Sequence, residues 1–451
     1  MTTTTGELII EPAGGTTCAA GTALSVSNTP NTPSADGGSS LAEDVKLRRA
    51  VEALRSGVPS RDAVAITGSG QSAIEDRFAG LMERTAAGTP GGLLIGGGFG
   101  SGKSHLLEHL SVLALEQGCT VSRVVISKET PLHDPAKVLA AALSSAVTKG
   151  RPRPALEEAA AALDLDGREY LELLRWASSA DSGLNERFAV TLDLFARLRH
   201  RDATYANTLV RFWSGDPVPM PELRRRVRDL GLPRPVLSPV KAKELAVQRL
   251  RFAARLLAAA GSRGWVILFD EVELIGRYSL LQRARSYAEI ARWTKGQHGG
   301  QGTPLAAVLA MTDDFEAAVI TGRRDRDVVP EKLHAKGTAE AAELAVLAQR
   351  GMQVIDREMH LLAPPDDTEL DQVYTRLKQL HGEVFGWEPP DVVGLERLGA
   401  NRMRQYVRAW INEWDLLRLD PRHRPDTRLT EIVSNYTEDP DLERANSSPE
   451  D

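Results

Sequence analysis

The 451-residue sequence has few cysteines and no long hydrophobic run. Its two cysteines, Cys18 and Cys119, are too few for a disulfide-stabilised scaffold or a four-cysteine zinc site. The longest apolar stretches, such as Val266–Phe269 and Leu305–Met311, are far shorter than the roughly 20 residues that a membrane-spanning helix requires. No basic segment followed by an apolar one opens the chain, so no signal peptide is predicted. We expect a cytoplasmic protein that does not contact a membrane.

The sequence also lacks a strong excess of charge of either sign. It carries 55 Lys and Arg against 61 Asp and Glu, a formal net charge of -6. This balance argues against a globally basic nucleic-acid binder but leaves local basic patches open. Hydrophobic residues make up 42% and charged residues 26%, which is ordinary globular usage and excludes a fibrous or fully disordered chain.

The order of apolar segments predicts strands that alternate with helices, the pattern of a parallel sheet covered on both faces. The predicted strands are 93–95, 120–127, 264–270, 304–312 and 357–362, with a further short strand at Leu8–Ile10. The predicted helices are 43–57, 72–83, 106–115, 134–147, 156–163, 168–177, 185–198, 241–260, 279–293, 336–350, 367–385 and 402–417. The predicted units are a disordered arm (1–40), two parts of an α/β core (41–149 and 241–365), a helical insertion (150–240), a C-terminal helical unit (366–436) and a disordered acidic tail (437–451).

One segment fits the pattern G-x-x-x-x-G-K-[ST] of a phosphate-binding loop in full. It reads Gly97-Gly98-Phe99-Gly100-Ser101-Gly102-Lys103-Ser104, between an apolar strand and an amphipathic helix. Glycines allow successive N–H groups to point at one anion, and the helix N-terminus adds partial positive charge. Lys103 is predicted to reach the outer phosphates of ATP, and Ser104 to bind Mg²⁺. A glycine-rich turn with a solvated lysine is the alternative.

His105 follows this loop and borders the predicted nucleotide site. We interpret it as a packing or capping residue, because no second histidine or cysteine has ligand spacing with it.

Two adjacent acidic residues, Asp270 and Glu271, end the strand that begins near Gly264. The carboxyl ends of parallel strands meet at the ligand-binding edge of such a sheet, so we expect both beside the phosphate loop. Asp270 is then a candidate for the Mg²⁺ shell, and Glu271 for the group that polarises the attacking water. Alternatively, Asp270 and Glu271 are solvated residues at the start of a loop.

The next strand ends in Thr312-Asp313-Asp314. Thr312 and Asp313 are both candidates to contact the γ-phosphate or the water, and the sequence does not separate them. Alternatively, Asp313 or Asp314 caps the following helix.

These elements together resemble the AAA+/ORC-like class of P-loop ATPases. Several segments resemble more narrowly the BrxD family of BREX-type phage-defence ATP-binding proteins. They are RRAVEALRSGVPSRDAV, GGFGSGKSHLLEHL, SRVVISKETPLHDP and ILFDEVELIGRYSLLQRARSYAEIARW, within residues 45–430. The resemblance implies an α/β P-loop sheet with a helical lid, and an ATPase that serves antiviral defence. An AAA+ likeness favours a homo-oligomer. Double-stranded DNA and an Lhr-like superfamily 2 helicase, encoded beside the family in BREX and DISARM-like islands, are candidate partners that the resemblance does not establish.

The same resemblance implies arginines that sense the γ-phosphate. A residue acting on the neighbouring subunit is expected among Arg323, Arg324 and Arg326, of which Arg324 is the leading candidate. A residue acting in its own subunit is expected at Arg404, with Arg402 as the alternative. Solvated or salt-bridged arginines are the competing interpretation at both places.

Basic residues elsewhere are candidates for DNA or partner contact, and they are Arg224, Arg225, Arg226, Arg228, Arg277, Arg283 and Arg285. Trp410 and Trp414 lie four residues apart, which predicts the core stripe of one helix rather than a base-stacking platform.

Three functions are compatible with these residues. The first is an Mg²⁺-dependent ATPase of a phage-defence system, and Glu271 favours it because a pure binder has no need of that residue. The second is a nucleotide-gated binding module with little turnover. The third is a small-molecule kinase, against which stands the lack of an acceptor-binding motif.

Overall fold

The computed structural model describes residues 37–150, 155–392, 403–424 and 436–439. The described residues from Val45 onward belong to one compact unit, and of residues 1–44 the described part, Gly37–Asp44, is helical. The predicted strand at Leu8–Ile10, most of the predicted arm and residues 440–451 of the predicted tail lie outside the described residues. Helix α1 (Gly37–Ser56) begins earlier than the sequence predicts.

A parallel sheet of five strands forms the centre of the described structure. The strands are β1 Gly91–Gly96, β2 Thr120–Val125, β3 Trp265–Asp270, β4 Leu305–Met311 and β5 His360–Leu361, in the order β2-β3-β4-β1-β5. Strand β4 therefore lies between β1, which leads into the phosphate loop, and β3, which ends in Asp270. All pairings are parallel, so the carboxyl ends of β1, β3 and β4 meet at one edge of the sheet.

The remaining helices mostly follow the predicted positions. They are α2 Arg61–Thr67, α3 Ser72–Ala86, α4 Lys103–Glu116, α5 Pro135–Ser145, α6 Ala155–Ala162, α7 Arg168–Ser178, α8 Arg187–Leu198, α9 Ala203–Ser214, α10 Met220–Asp229, α11 Ala242–Ala259, α12 Leu280–Thr294, α13 Asp325–His334, α14 Ala339–Arg357, α15 Asp367–Phe385 and α16 Met403–Leu419. The sequence does not predict α2, α9, α10 or α13. In α10 only Leu223 and Val227, four residues apart, are buried and the rest is largely charged, while α13 contains Pro330, which is unusual inside a helix.

Alternate residues of the strands face two separate apolar cores, as expected for a sheet covered on both sides. Val266 and Leu268 face one core with helices α3 and α4, whereas Ile267 and Phe269 face the other. The fully buried strands β3 and β4 thus confirm the prediction from their continuous apolar runs.

The described residues 155–240 of the predicted insertion contain helices α6 to α10 and the loops between them. Its apolar side chains, among them Phe188 and Trp213, belong to the same core as Ile267 and Phe269 of the sheet. Trp213 donates a hydrogen bond of 2.9 Å to Thr191 within this core. The inserted helices therefore extend one face of the sheet rather than forming a core of their own.

Helices α1, α2, α15 and α16 share a third apolar core. Trp410 and Trp414 of α16 are buried in it, at 6% and 0% exposure, which confirms the prediction of a core stripe. No helix in the described part of the chain is long and apolar enough to cross a membrane.

Candidate nucleotide site

The phosphate loop connects β1 to α4 at the carboxyl edge of the sheet. Gly96 of β1 is paired with Met311 of β4, and the Gly97 amide donates a hydrogen bond of 3.2 Å to the Met311 carbonyl oxygen. This pairing places the start of the loop directly beside Thr312, the residue that follows β4.

The loop has backbone conformations that require glycine. Gly100 and Gly102 have φ angles of 81° and 104°, which other L-residues rarely adopt. A Cβ atom on Gly97 would lie 2.5 Å from Ser101 Oγ. Ser101 Oγ is itself buried and has no hydrogen-bond partner among the described residues, so it is free to meet a ligand in the loop. Phe99 is 38% exposed at the tip.

The Lys103 side chain is buried and folds back over the loop. Its Nζ donates hydrogen bonds to the carbonyl oxygens of Gly97, at 2.9 Å, and Gly98, at 3.2 Å. The same ammonium lies 3.9 Å from Glu273 Oε1. The positive charge of Lys103, which the sequence predicts to bind phosphates, therefore lies at the centre of the loop.

Asp270 and Ser104, the two predicted metal ligands, are joined through Arg123 of β2. Arg123 Nη2 donates to Asp270 Oδ2 at 3.1 Å and to the Ser104 carbonyl oxygen at 3.2 Å. Arg123 Nη1 pairs with Glu108 of α4 at 2.8 Å. The structure thus brings Asp270 to the base of the phosphate loop, and it adds an arginine that the sequence does not predict. Arg123 comes to this place because its strand, β2, lies next to β3 in the sheet.

Glu271 has a left-handed backbone, with a φ angle of 58°. Such a conformation is strained for a non-glycine residue and is concentrated at functional sites. Burial raises the pKa of Glu271, and the adjacent Asp270 raises it further, while Lys103 and Arg404 act in the opposite direction. Two residues further on, Glu273 lies close to Lys103 of the loop.

Glu273 is a second residue that the sequence does not predict at the site. It is 7% exposed, faces Lys103, and has one buried oxygen, Oε2, without a hydrogen-bond partner among the described residues. Burial raises its pKa to about 7, and the nearby Lys103 opposes this effect. In the sequence, the one indication of its role is that it follows two other acidic residues in Asp270-Glu271-Val272-Glu273.

A cleft lies beside the phosphate loop, between it, the α2–α3 connection and α16. Its cavity volume is about 90 Å³. Ser101, Gly102 and Arg404 line it together with apolar side chains such as Leu54 and Val407. The cleft therefore joins a polar end at the phosphate loop to an apolar surface.

His105 also lines this cleft. Its Nε2 is 2.8 Å from the Gly68 carbonyl oxygen and 3.1 Å from Thr67 Oγ1, and burial lowers its pKa. These contacts tie α4 to the α2–α3 connection and agree with a positioning role. Arg404 faces the same cleft, whereas the alternative Arg402 lies outside the described residues.

Thr312 is buried, and its Oγ1 is hydrogen-bonded to Tyr436 Oη. Tyr436 Oη also donates to Asp314 Oδ1 at 2.7 Å. The other candidate, Asp313, lies near Gly98 of the loop, since a Cβ atom on that glycine would be 3.9 Å from its carboxylate oxygens. Both candidates therefore border the site.

The three arginines after β4 have different surroundings. Arg323 donates to the Tyr436 carbonyl oxygen and to Glu438. Arg326 pairs with Glu316 at 2.7 Å and with Asp356 at 3.3 Å. Arg324 has a left-handed backbone, and its side chain is 77% exposed with a 3.5 Å contact to Asp327. Arg324 is thus the most accessible of the three.

The basic surfaces expected from the sequence need two corrections. Arg283 is buried, with a side chain 3% exposed that binds both oxygens of Asp325 and also Glu438, so it is not exposed to DNA or to a partner protein in this state. Arg226 pairs with Asp202 at 2.7 Å and stacks on Tyr205, so it holds α10 against α9. Arg224, Arg225 and Arg228 are exposed on α10, and Arg285 is exposed on α12.

Residues 44–160 match the family model for the BREX system ATP-binding protein BrxC/D. The match covers about a quarter of the chain, and it includes the whole phosphate loop but not β3 with Asp270 and Glu271. No curated protein and no solved structure matches the chain. Within the described residues, no group of three or more His, Cys, Asp or Glu side chains is arranged to hold a metal ion by itself.

Proposed function

We propose that this protein is an ATP-hydrolysing, AAA+-like ATPase of a BREX-type phage-defence system, within the BrxD branch of the matched family. The supporting observation is the arrangement at one edge of the sheet. Lys103 lies in the loop facing the turn after β3, and Arg123 ties Asp270 to the residue that follows that lysine. A lysine in the phosphate loop with a carboxylate held at a neighbouring strand end supports phosphoryl transfer from a nucleotide to water.

The residues of the loop fit the phosphates of ATP. The unpartnered Ser101 Oγ, the glycines of positive φ and the central ammonium of Lys103 all favour an anion at this place. The apolar side of the cleft would hold the base. Helices α15 and α16, with Arg404 at the cleft, would then serve as the lid.

Ser104 and Asp270 are the residues that would hold Mg²⁺, together with water, since this ion takes few protein ligands. When bound, Mg²⁺ supplies positive charge against the phosphate oxygens. The pairing of Asp270 with Arg123 keeps its carboxylate in place, and Asp270 Oδ1 accepts a hydrogen bond from the Glu271 amide at 3.1 Å. Glu271 is then the base that orients the attacking water.

The proposal includes assembly. The exposed Arg324 is suited to act on the nucleotide of a second copy of the chain, and the exposed arginines of α10 are suited to phosphates of double-stranded DNA. A partner helicase of the Lhr-like superfamily 2 type is carried over from the resemblance alone.

A nucleotide-gated module with little turnover is the second candidate. It is favoured by the engagement of Thr312 and Arg323 with residues 436–438, which leaves two expected γ-phosphate contacts occupied.

Phosphate release from ATP and Mg²⁺ without any acceptor tests the proposal. Glu271→Gln should retain nucleotide binding and lower kcat on the order of 100-fold, because the water loses its base. Glu169→Gln, an exposed change on α7, is the matched control and should keep wild-type turnover. Wild-type turnover in Glu271→Gln would move the role to Asp313, and absence of turnover in the wild type would favour the gated module.

A further inference from the structure

A four-residue segment near the end of the chain, Tyr436–Asp439, lies against the catalytic edge of the sheet. We call it the clasp. Its first side chain packs edge-on against Phe315, with ring centroids 5.9 Å apart, and approaches Gly276 closely. The Tyr436 hydroxyl binds Thr312 and Asp314, so the clasp reaches the end of β4 itself.

The acidic half of the clasp lies on three arginines, Arg277, Arg283 and Arg323. Glu438 Oε1 accepts hydrogen bonds from Arg283 Nη1 at 2.7 Å and Arg323 Nη1 at 3.1 Å. Asp439 pairs with Arg277 at 2.9 Å, and its backbone amide donates to the Arg277 carbonyl oxygen at 3.1 Å. Side-chain and backbone contacts together define the path of the segment.

The clasp contacts two residues that are expected to bind the γ-phosphate. Thr312 and Arg323 are both candidates to meet the γ-phosphate, and the same short segment engages both of them. The Thr312 hydroxyl is hydrogen-bonded to Tyr436. Two nitrogens of Arg323 donate hydrogen bonds, one to the Tyr436 carbonyl oxygen and one to Glu438. In this state neither group is available to a nucleotide, whether in its own subunit or in a neighbour.

We propose that the surface of Arg277, Arg283 and Arg323 is a docking site for the chain's own acidic segment 436–439, and that this clasp restrains ATP turnover until an anionic ligand displaces it. The charges support the assignment of the occupant, because the two carboxylates of the clasp face three guanidinium groups. The displacing chemistry is that of a phosphate group, which offers the same guanidinium groups charge-assisted hydrogen bonds. The effect on turnover rests on the proposed function, whereas the docking itself does not.

Hydrogen exchange of the Asp439 amide measures the docking directly in the full-length protein. We expect Glu438→Gln to speed this exchange on the order of fivefold, because two ion pairs of Glu438 lose their charge. Glu388→Gln, an exposed change on the loop after α15, is the matched control and should leave the exchange unchanged. Raising NaCl from about 0.05 M to about 0.5 M should also speed the exchange, since salt screens such pairs. Wild-type exchange at the rate of an unprotected amide would overturn the docking.

A second set of measurements tests whether the clasp restrains ATP turnover, which we call gating. An ATP analogue with Mg²⁺ should speed exchange at Asp439, and Tyr436→Phe and Glu438→Gln should each raise ATP turnover on the order of threefold. Lower turnover in both variants would mean that the clasp supports Thr312 instead of restraining it, which would overturn the gating. If the wild type hydrolyses no ATP, the proposed function fails while the exchange measurements still decide the docking. Protection that grows with protein concentration would assign the segment to a second copy and overturn the proposal for the chain's own clasp.

Discussion

The Lys103 ammonium lies 3.9 Å from a carboxylate oxygen of Glu273, and both side chains are almost completely buried. The lysine is also held by two carbonyl oxygens of its own loop. A ligand that binds the Lys103 ammonium must therefore replace Glu273 and the two carbonyl oxygens. A polyphosphate can replace them because it carries more negative charge than they do. This relationship links nucleotide affinity to the state of one buried acid.

Lys103→Ala should weaken binding of an ATP analogue on the order of 100-fold or more, because charge-assisted contacts to the outer phosphates are lost. Fluorescence anisotropy with a labelled analogue measures the change. Lys332→Ala, an exposed change at the end of α13, is the control and should bind as the wild type does. Unchanged affinity in Lys103→Ala would contradict the assignment of the phosphate loop.

Glu273 should make the stability of the fold depend on pH. Its pKa is about 7 in the folded protein against about 4.5 for an ordinary glutamate, because burial disfavours the charged form. Between these values the folded protein holds a proton that the unfolded chain has lost, so this contribution to stability is present at low pH and disappears as the pH rises through 7.

Glu273→Gln removes that titration. From about pH 4.5 to about pH 8, the free energy of unfolding of the wild type should fall relative to the variant by on the order of 2–3 kcal/mol. Urea denaturation at several pH values measures both proteins, and their difference cancels the groups that they share. A difference independent of pH would show that the Glu273 carboxyl titrates normally.

Arg324 should act between subunits. Arg324→Ala should still bind ATP through Lys103 but lose hydrolysis, since the neighbouring site receives no cation. Mixing Arg324→Ala with Glu271→Gln should restore part of the activity at boundaries where both intact residues meet. Arg357→Ala, another exposed arginine, is the control for loss of charge. Turnover strictly proportional to concentration, with no recovery on mixing, would point to Arg404 in the same subunit.

The exposed arginines of α10 should contribute to binding of double-stranded DNA. Replacing Arg224, Arg225 and Arg228 together by Ala should weaken the association and reduce its dependence on salt, with basal ATP turnover little changed. Arg226→Ala is a contrasting variant, which should lower stability because its pair with Asp202 holds two helices together. An unchanged salt dependence in the triple variant would identify these arginines as a solvated helix face.

The sequence alone determined the features that depend on neighbouring residues. The phosphate loop is one continuous segment, and its glycines and Lys103 show their role by spacing. The burial of β3 and β4 follows from apolar runs, and parallel strands bring their ends to one edge. The position of Asp270 near Ser104 is therefore predictable from the order of the strands. A helix such as α10, with two buried residues four apart and a charged remainder, shows its hydrophobic period over too short a stretch to be recognised from the sequence.

Only the tertiary structure decided which side chains meet across long separations. Arg123 reaches Asp270 because β2 pairs with β3, and Glu273 meets Lys103 because the carboxyl ends of β1 and β3 lie at the same edge of the sheet. Tyr436 reaches Thr312 across 124 positions. No local pattern encodes these contacts, since each depends on the packing of elements whose order in space differs from their order in the chain.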